Sequence, residues 1–289
     1  MLAPFTMTPK RWLAVGLLTA GIVVVYWEMF VRLIDAWIVD GNYSHGWLIL
    51  PIAAYFAWER RDRLAALPVK ASWLGLVVFA GGLALLVAGF LGAELFTTRI
   101  SLVITLVGMI AFLFGWAHVR TLAFPLAFLL LMIPLPAIIF NRIAFPLQLL
   151  ASRFGESCIS AANIPVLREG NVLVLANTSL EVAEACSGIR SLVSLITLGL
   201  VFGYFADERL WVRSLIVLST IPVAIISNGA RVAGTGILAH FYGASAAEGF
   251  FHEFSGWVVF IAAFLMILAL QRIIVRFAPA APKSVPTPA

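Results

Sequence analysis

Ser72-Trp73-Leu74-Gly75-Leu76-Val77-Val78-Phe79-Ala80-Gly81-Gly82-Leu83-Ala84-Leu85-Leu86-Val87-Ala88-Gly89-Phe90-Leu91-Gly92 is an apolar run without a single charge. As a helix it is about 30 Å long, the thickness of a bilayer's hydrocarbon core. Runs of this character recur on both sides of it. Eight spans are expected, over residues 12–34, 45–58, 72–92, 99–117, 121–136, 187–205, 213–228 and 254–275. The second, fifth and seventh are short for a full crossing.

Composition agrees. The 289 residues are 62% hydrophobic and 11% charged, with mean hydropathy +1.04. A soluble domain is typically about 45–50% apolar and about 25% charged. The fold class is therefore all-α, a polytopic transmembrane helical bundle. One integral-membrane domain is expected over residues 1–278, followed by a disordered Pro/Ala tail, 279–289, on the cytoplasmic side. Lys10 and Arg11 precede a run too long for a signal peptide, and no small-residue cleavage site follows, so the first span reads as uncleaved. No internal repeat is visible.

The formal charge of +5 does not point to nucleic acid. The basic residues sit at the ends of apolar runs, where they write membrane topology. With the N-terminus inside, twelve of the nineteen Lys and Arg fall on the cytoplasmic side. The compact Glu59-Arg60-Arg61-Asp62-Arg63 is the clearest cluster, whereas the outer arginines are scattered. Both termini are thus expected in the cytoplasm.

The one long non-spanning stretch is 137–185. Ala137 to Ile164 is amphipathic and suited to the interface. After it the period changes. In Val166-Leu167-Arg168-Glu169-Gly170-Asn171-Val172-Leu173-Val174-Leu175 a Gly-Asn turn separates β-branched runs, and Ala176-Asn177-Thr178-Ser179 supplies a second turn before Leu180-Glu181-Val182-Ala183. This predicts a small extracytoplasmic β-meander before the sixth span, covered by protein or water, since bare strand edges cannot sit in lipid.

Three residue types that cooperate in thiol catalysis then fall on the outer side. Cys186, in Glu184-Ala185-Cys186-Ser187-Gly188-Ile189-Arg190, opens the sixth span. Arg231, in Asn228-Gly229-Ala230-Arg231, follows the seventh. His252, in His252-Glu253-Phe254-Ser255-Gly256, opens the eighth. A thiol at a helix N-terminus and near a guanidinium is favoured as thiolate, the nucleophilic form. The same dipole disfavours imidazolium, so His252 would be neutral and available to move protons. Arg231 cannot be a base, but its donors suit an oxyanion. Singly, each residue has a blander reading: a buried small hydrophobe, an interfacial histidine, a snorkelling arginine. Polar residues gathered at one membrane depth are a functional hypothesis by default.

These motifs resemble the exosortase family, bacterial relatives of the archaeosortases. The resemblance runs through Asn42-Tyr43-Ser44-His45-Gly46, Trp58-Glu59-Arg60-Arg61, Met132-Ile133-Pro134-Leu135-Pro136, Glu184 to Arg190, Asn228-x-x-Arg231 and His252-x-x-x-Gly256. It implies a cysteine transpeptidase or protease of the bacterial inner membrane. Its partners would be exported proteins ending in a Pro-Glu-Pro-type motif, a transmembrane helix and a basic tail. Cys186 would be the nucleophile, Arg231 its electrostatic partner and His252 the proton-transfer group. An association with surface polysaccharide is implied by the family alone.

Of second rank, Glu184 either orients Arg231 or Arg190 or favours the helix start. Arg190 lies one turn below Cys186 and would assist the thiolate or bind substrate. Asn228 would cap or position the backbone near Arg231. His45 either lines the site or marks an interface. Cys158 and Cys186 are either a disulfide or two thiols, and two lone cysteines are no framework. No cofactor is expected, and His240 and His252, twelve apart, make no metal site. Residues 229–243 are read as re-entrant or amphipathic, because Arg231, His240 and several glycines make a poor span. The alternative to an enzyme is a transporter or flippase for a polysaccharide precursor. Such a protein would bury ionisable residues at mid-membrane in repeated halves.

Overall fold

The computed structural model describes residues 9–176, 178–182, 188–243 and 250–278. It forms two compact units, Met1–Ala137 and Ile138–Ala289.

The first unit contains α1 (Pro9–Val25), α2 (Trp27–Val39), α3 (Gly46–Glu59), α4 (Arg61–Ala66), α5 (Trp73–Leu91), α6 (Leu95–Leu113), α7 (Trp116–Thr121) and α8 (Ala123–Phe128). Its framework is the α5–α6 hairpin. Gly75 and Gly108 each lie against the backbone of the other helix, at Phe112 and Phe79, and Gly82 lies against Thr105. Without a hydrophobic drive between helices in lipid, such small residues allow the close approach that dispersion needs. Glu94 caps α6, accepting from the amides of Phe96 and Thr97. The fully buried Tyr26 sits at the break between α1 and α2, and its hydroxyl bonds Ser101 Oγ at 3.1 Å and Thr105 Oγ1 at 2.7 Å.

The second unit contains α9 (Ala137–Ala161), strands β1 (Val166–Glu169), β2 (Val172–Leu175) and β3 (Ser179–Glu181), then α10 (Gly188–Ala206), α11 (Leu210–Tyr242) and α12 (Phe250–Phe277). The expected β-meander is present, antiparallel in the order β1-β2-β3, with Glu169 opposite Val172 across the Gly170-Asn171 loop. Gly170 has φ +66°, a value that suits glycine at the first position of a two-residue hairpin loop. One face of the sheet is covered by protein, while Leu167, Ser179 and Glu181 on the other face are exposed. Leu173, Leu175, Leu180 and Val182 form one buried cluster with Ala151 and Ile159 of α9 and Val232, Ala233 and Ala239 of α11. Burial of each large side chain there is worth about 1.5–3 kcal/mol.

Four helices are long and apolar enough to cross a membrane: α5, α6, α11 and residues Phe254–Phe277 of α12. The number rises to six if two bent helix pairs count as single spans. Among the described residues this measure does not reach the eight expected. The 12–34 run is broken at Tyr26, where its halves bend by 62°. Residues 45–58 form the short α3. Residues 121–136 break into α8 and a 3-10 turn, Leu129–Met132. Residues 187–205 correspond to α10, of which Leu192–Ala206 is a shorter apolar helix.

The largest difference from expectation is at 213–228 and 229–243, which are one continuous helix. Its 33 residues are about 50 Å long, well over a hydrocarbon thickness. The polar and small residues after Asn228 make a poor lipid-facing span, but they suit a helix packed on protein. Gly229 lies against Phe154, Gly155 against Val232 and Gly236 against Ile159, so α9 runs parallel to this half of α11.

Candidate functional site

The site builds on the packing of α10, α11 and α12. Gly199 of α10 lies against Thr220 of α11, and Gly203 against Arg213. The two helices are therefore antiparallel. Leu192 and Leu195 of α10 share a buried cluster with Val223 and Ala224 of α11 and Ala263 and Ile267 of α12. Carried along at the same register, Gly188 at the start of α10 comes level with the Asn228–Arg231 stretch of α11.

Arg231 is half-buried, and its guanidinium rests against the backbone of α12. A Cβ at Gly256 would stand 3.2 Å from Nη2, 3.3 Å from Cζ and 3.6 Å from Nη1. Only a residue without a side chain leaves the guanidinium there undisturbed. Gly256 was legible as part of a motif, but its role as the seat of Arg231 was not. His252 lies in the first turns of α12, four residues before Gly256, a spacing that puts both positions on one helical face. The His252 side chain lies outside the described residues. Cys186 and Glu184 also lie outside them. Arg190 is placed on the first turn of α10, its side chain undescribed.

Asn228 precedes Arg231 by three residues on α11 and is buried. It lines a cleft with Gln148 of α9 and Leu192 of α10 that has room for one water at most. Gln148 is a polar neighbour that sequence reading passed over. Cys158, on α9, has no disulfide partner among the described residues, which exclude Cys186, and packs against the cluster under the sheet. Arg168 of β1 pairs with Glu156 of α9 at 2.8 Å and also bonds Gly170 O at 3.1 Å, tying the hairpin to the helix.

His45 belongs to the first unit. It is buried before α3, and its Nε2 is 3.1 Å from Leu131 O, a carbonyl to which it donates. Nearby, Leu135 N donates to the Tyr43 hydroxyl at 3.1 Å. His45 thus holds the segment that ends in Pro134-Leu135-Pro136.

Charge marks the far end of the second unit. Asp207 and Arg209, in the turn between α10 and α11, pair at 2.6 Å, and Arg213 Nε bonds Asp207 O. The hydrogen bonds from Arg209 hold the Asp207 carboxyl at about 2. Arg272 and Arg276 lie toward the end of α12. From Leu210 to Arg231 the helical rise is about 32 Å, and from Gly256 to Arg276 about 30 Å. Arg231 and Gly256 therefore lie one hydrocarbon thickness from the basic end.

A family model described as transmembrane exosortase matches residues 37–269, about four-fifths of the chain. No curated protein and no solved structure is recognisably similar to the chain.

Proposed function

The chain belongs to the transmembrane exosortase family and is a multi-pass membrane protein, and on that premise we propose that it is a membrane cysteine transpeptidase or protease acting on the C-terminal sorting signal of exported proteins. The observation that carries this reading is the seating of Arg231 on Gly256, one turn from His252, at the level where α10 begins. Cys186 is two residues before that beginning in the sequence. Arg231 and the helical turn that carries His252 and Gly256 thus lie at the depth where α10 begins, and the role of Cys186 rests on its sequence motif.

In this mechanism the Cys186 thiolate attacks the scissile carbonyl, and the carbonyl oxygen becomes an oxyanion. Arg231 offers N–H donors and charge to that oxygen, where they are worth more in a water-poor site than in bulk. As the tetrahedral species collapses, the C–N bond breaks and a thioester forms on Cys186. The leaving amine takes from His252 the proton that this imidazole accepted from the Cys186 thiol when the thiolate formed. Water or an acceptor amine then attacks the thioester, gives its proton back to His252 and restores the thiolate. Asn228 and Arg190 are proposed to position Arg231 and the thiolate, with Glu184 at the helix start. His45 is proposed to hold the segment before Pro134-Leu135-Pro136 within the first unit rather than to react.

The basic end carrying Arg209, Arg213, Arg272 and Arg276 supports a cytoplasmic placement by charge. The site would then face the outside of a bacterial cytoplasmic membrane. There the short Pro-Glu-Pro-type motif of a substrate emerges from its own transmembrane helix.

The test is the pH profile of thiol alkylation in a Cys158→Ala background. An activated Cys186 labels well below the ordinary thiol pKa of about 8.5, and Arg231→Ala moves the profile up. Labelling that follows an ordinary thiol in both proteins contradicts the proposal.

A further inference from the structure

Within the first unit a cavity of about 230 Å³ lies by the turn between α5 and α6, lined by Met29, Arg32, Phe90, Glu94, Leu95 and Arg99. Arg99 is only 6% exposed. Its Nε–H has no acceptor, and Nη2 makes one long contact, 3.3 Å to Arg32 O. No carboxylate hydrogen-bonds to it among the described residues, although Glu94 is within electrostatic reach. Glu94 is committed to the α6 amides, with Oε1 3.0 Å from Phe96 N and Oε2 2.5 Å from Thr97 N. Arg32 is paired with Glu28 at 2.6 Å, both side chains more than half exposed.

A guanidinium carries five donors and never loses its charge. Glu94 in the same lining offsets part of that charge but gives the guanidinium no hydrogen bond, so the buried Nε–H and the remaining donors are left for a ligand. The cavity lies at one end of two candidate spans, so it meets the level where lipid headgroups begin. Beside it Phe90, Leu91 and Leu95 are exposed apolar side chains. Its volume is below that of ordinary small-molecule pockets, about 300–1,000 Å³. That suits a headgroup better than a peptide segment.

We propose that this cavity binds the phosphate of a membrane phospholipid, with Arg99 as the principal partner of the anion. Arg32 flanks the phosphate, and Phe90 and Leu95 meet the glycerol and the first acyl carbons. The site is built from the first unit alone and does not depend on the proposed thiol chemistry.

The full chain in mild detergent is titrated with dihexanoyl phosphatidylglycerol, dihexanoylglycerol and inorganic phosphate, and bound ligand is read by native mass spectrometry. The phospholipid should bind, dihexanoylglycerol should bind at least about tenfold more weakly, and Arg99→Gln should weaken the phospholipid about tenfold. If Arg99→Gln does not fold, Arg32→Gln, on an exposed side chain, carries the test with an expected loss of several-fold. Equal affinity for the phosphate-free lipid, or unchanged affinity in the variant that folds, overturns the proposal. Inorganic phosphate binding as tightly as the phospholipid overturns the lipid assignment.

Discussion

The guanidinium of Arg231 rests on Gly256, with Nη2 3.2 Å and Cζ 3.3 Å from the position a Cβ would take. This contact joins two helices that the sequence presents as separate motifs. It also sets where the charge of Arg231 stands relative to the start of α12.

Gly256→Ala tests how finely that position matters. The new methyl presses on the guanidinium by a few tenths of an ångström, so turnover should fall about tenfold while the protein accumulates normally. Gly256→Val should cost about a hundredfold, the effect of a misplacement near 1 Å. Cleavage rate and membrane abundance measured together check this. Wild-type turnover in Gly256→Val would show that the seat is irrelevant.

Arg231→Lys should not rescue Arg231→Ala. A lysine ammonium keeps the charge but lacks the planar fork, and it would have to cross the same gap with a single point. Both variants should lose about 10²–10³ in turnover, the cost of an oxyanion donor. Near-wild-type activity in the lysine variant would reduce Arg231 to a generic cation.

Neighbouring glycines in α5 should behave oppositely. A Cβ at Gly82 meets Thr105 of α6, whereas one at Gly81 meets nothing within 4 Å. Gly82→Ala should cost about 1–3 kcal/mol by overpacking, and Gly81→Ala should be neutral or slightly stabilising. Thermal unfolding in detergent distinguishes them.

Asp207 should make stability acid-sensitive. Its carboxyl titrates at about 2 when folded, against about 3.9 unfolded. A depressed folded pKa contributes stability that is complete above about pH 4 and disappears as pH falls through about 2. Asp207→Asn should cost about 1 kcal/mol at neutral pH after allowance for solvent screening. The difference between the proteins should vanish near pH 2. A difference that does not change with pH would mean that the ion pair with Arg209 contributes nothing.

Much of this was legible in the chain. Residues 72–92 announce α5 because an uncharged run of that length has few other homes. Gly170-Asn171 announces the hairpin because glycine accepts its φ cheaply. The course of 229–243 was not legible. Hydropathy reports what a helix can face in lipid, and this half of α11 faces the sheet and α9 instead. The break at Tyr26 was also hidden: no proline or glycine marks it, and Tyr26 is fully buried there with its hydroxyl bonded to Ser101 and Thr105. Arg231 and His252 could be paired only through the motif order, because Gly256 shows its purpose once α11 and α12 are side by side. Cys186 and Glu184 remain readings of sequence alone.

The most direct measurement co-expresses the protein with a tagged exported protein bearing a Pro-Glu-Pro-type C-terminal signal, and compares wild type with Cys186→Ala at equal abundance. The account predicts that the tagged protein is shortened only by wild type, with Arg231→Ala and His252→Ala also inactive. Equal shortening by wild type and Cys186→Ala, or none by a wild-type protein that is folded and abundant, would contradict it.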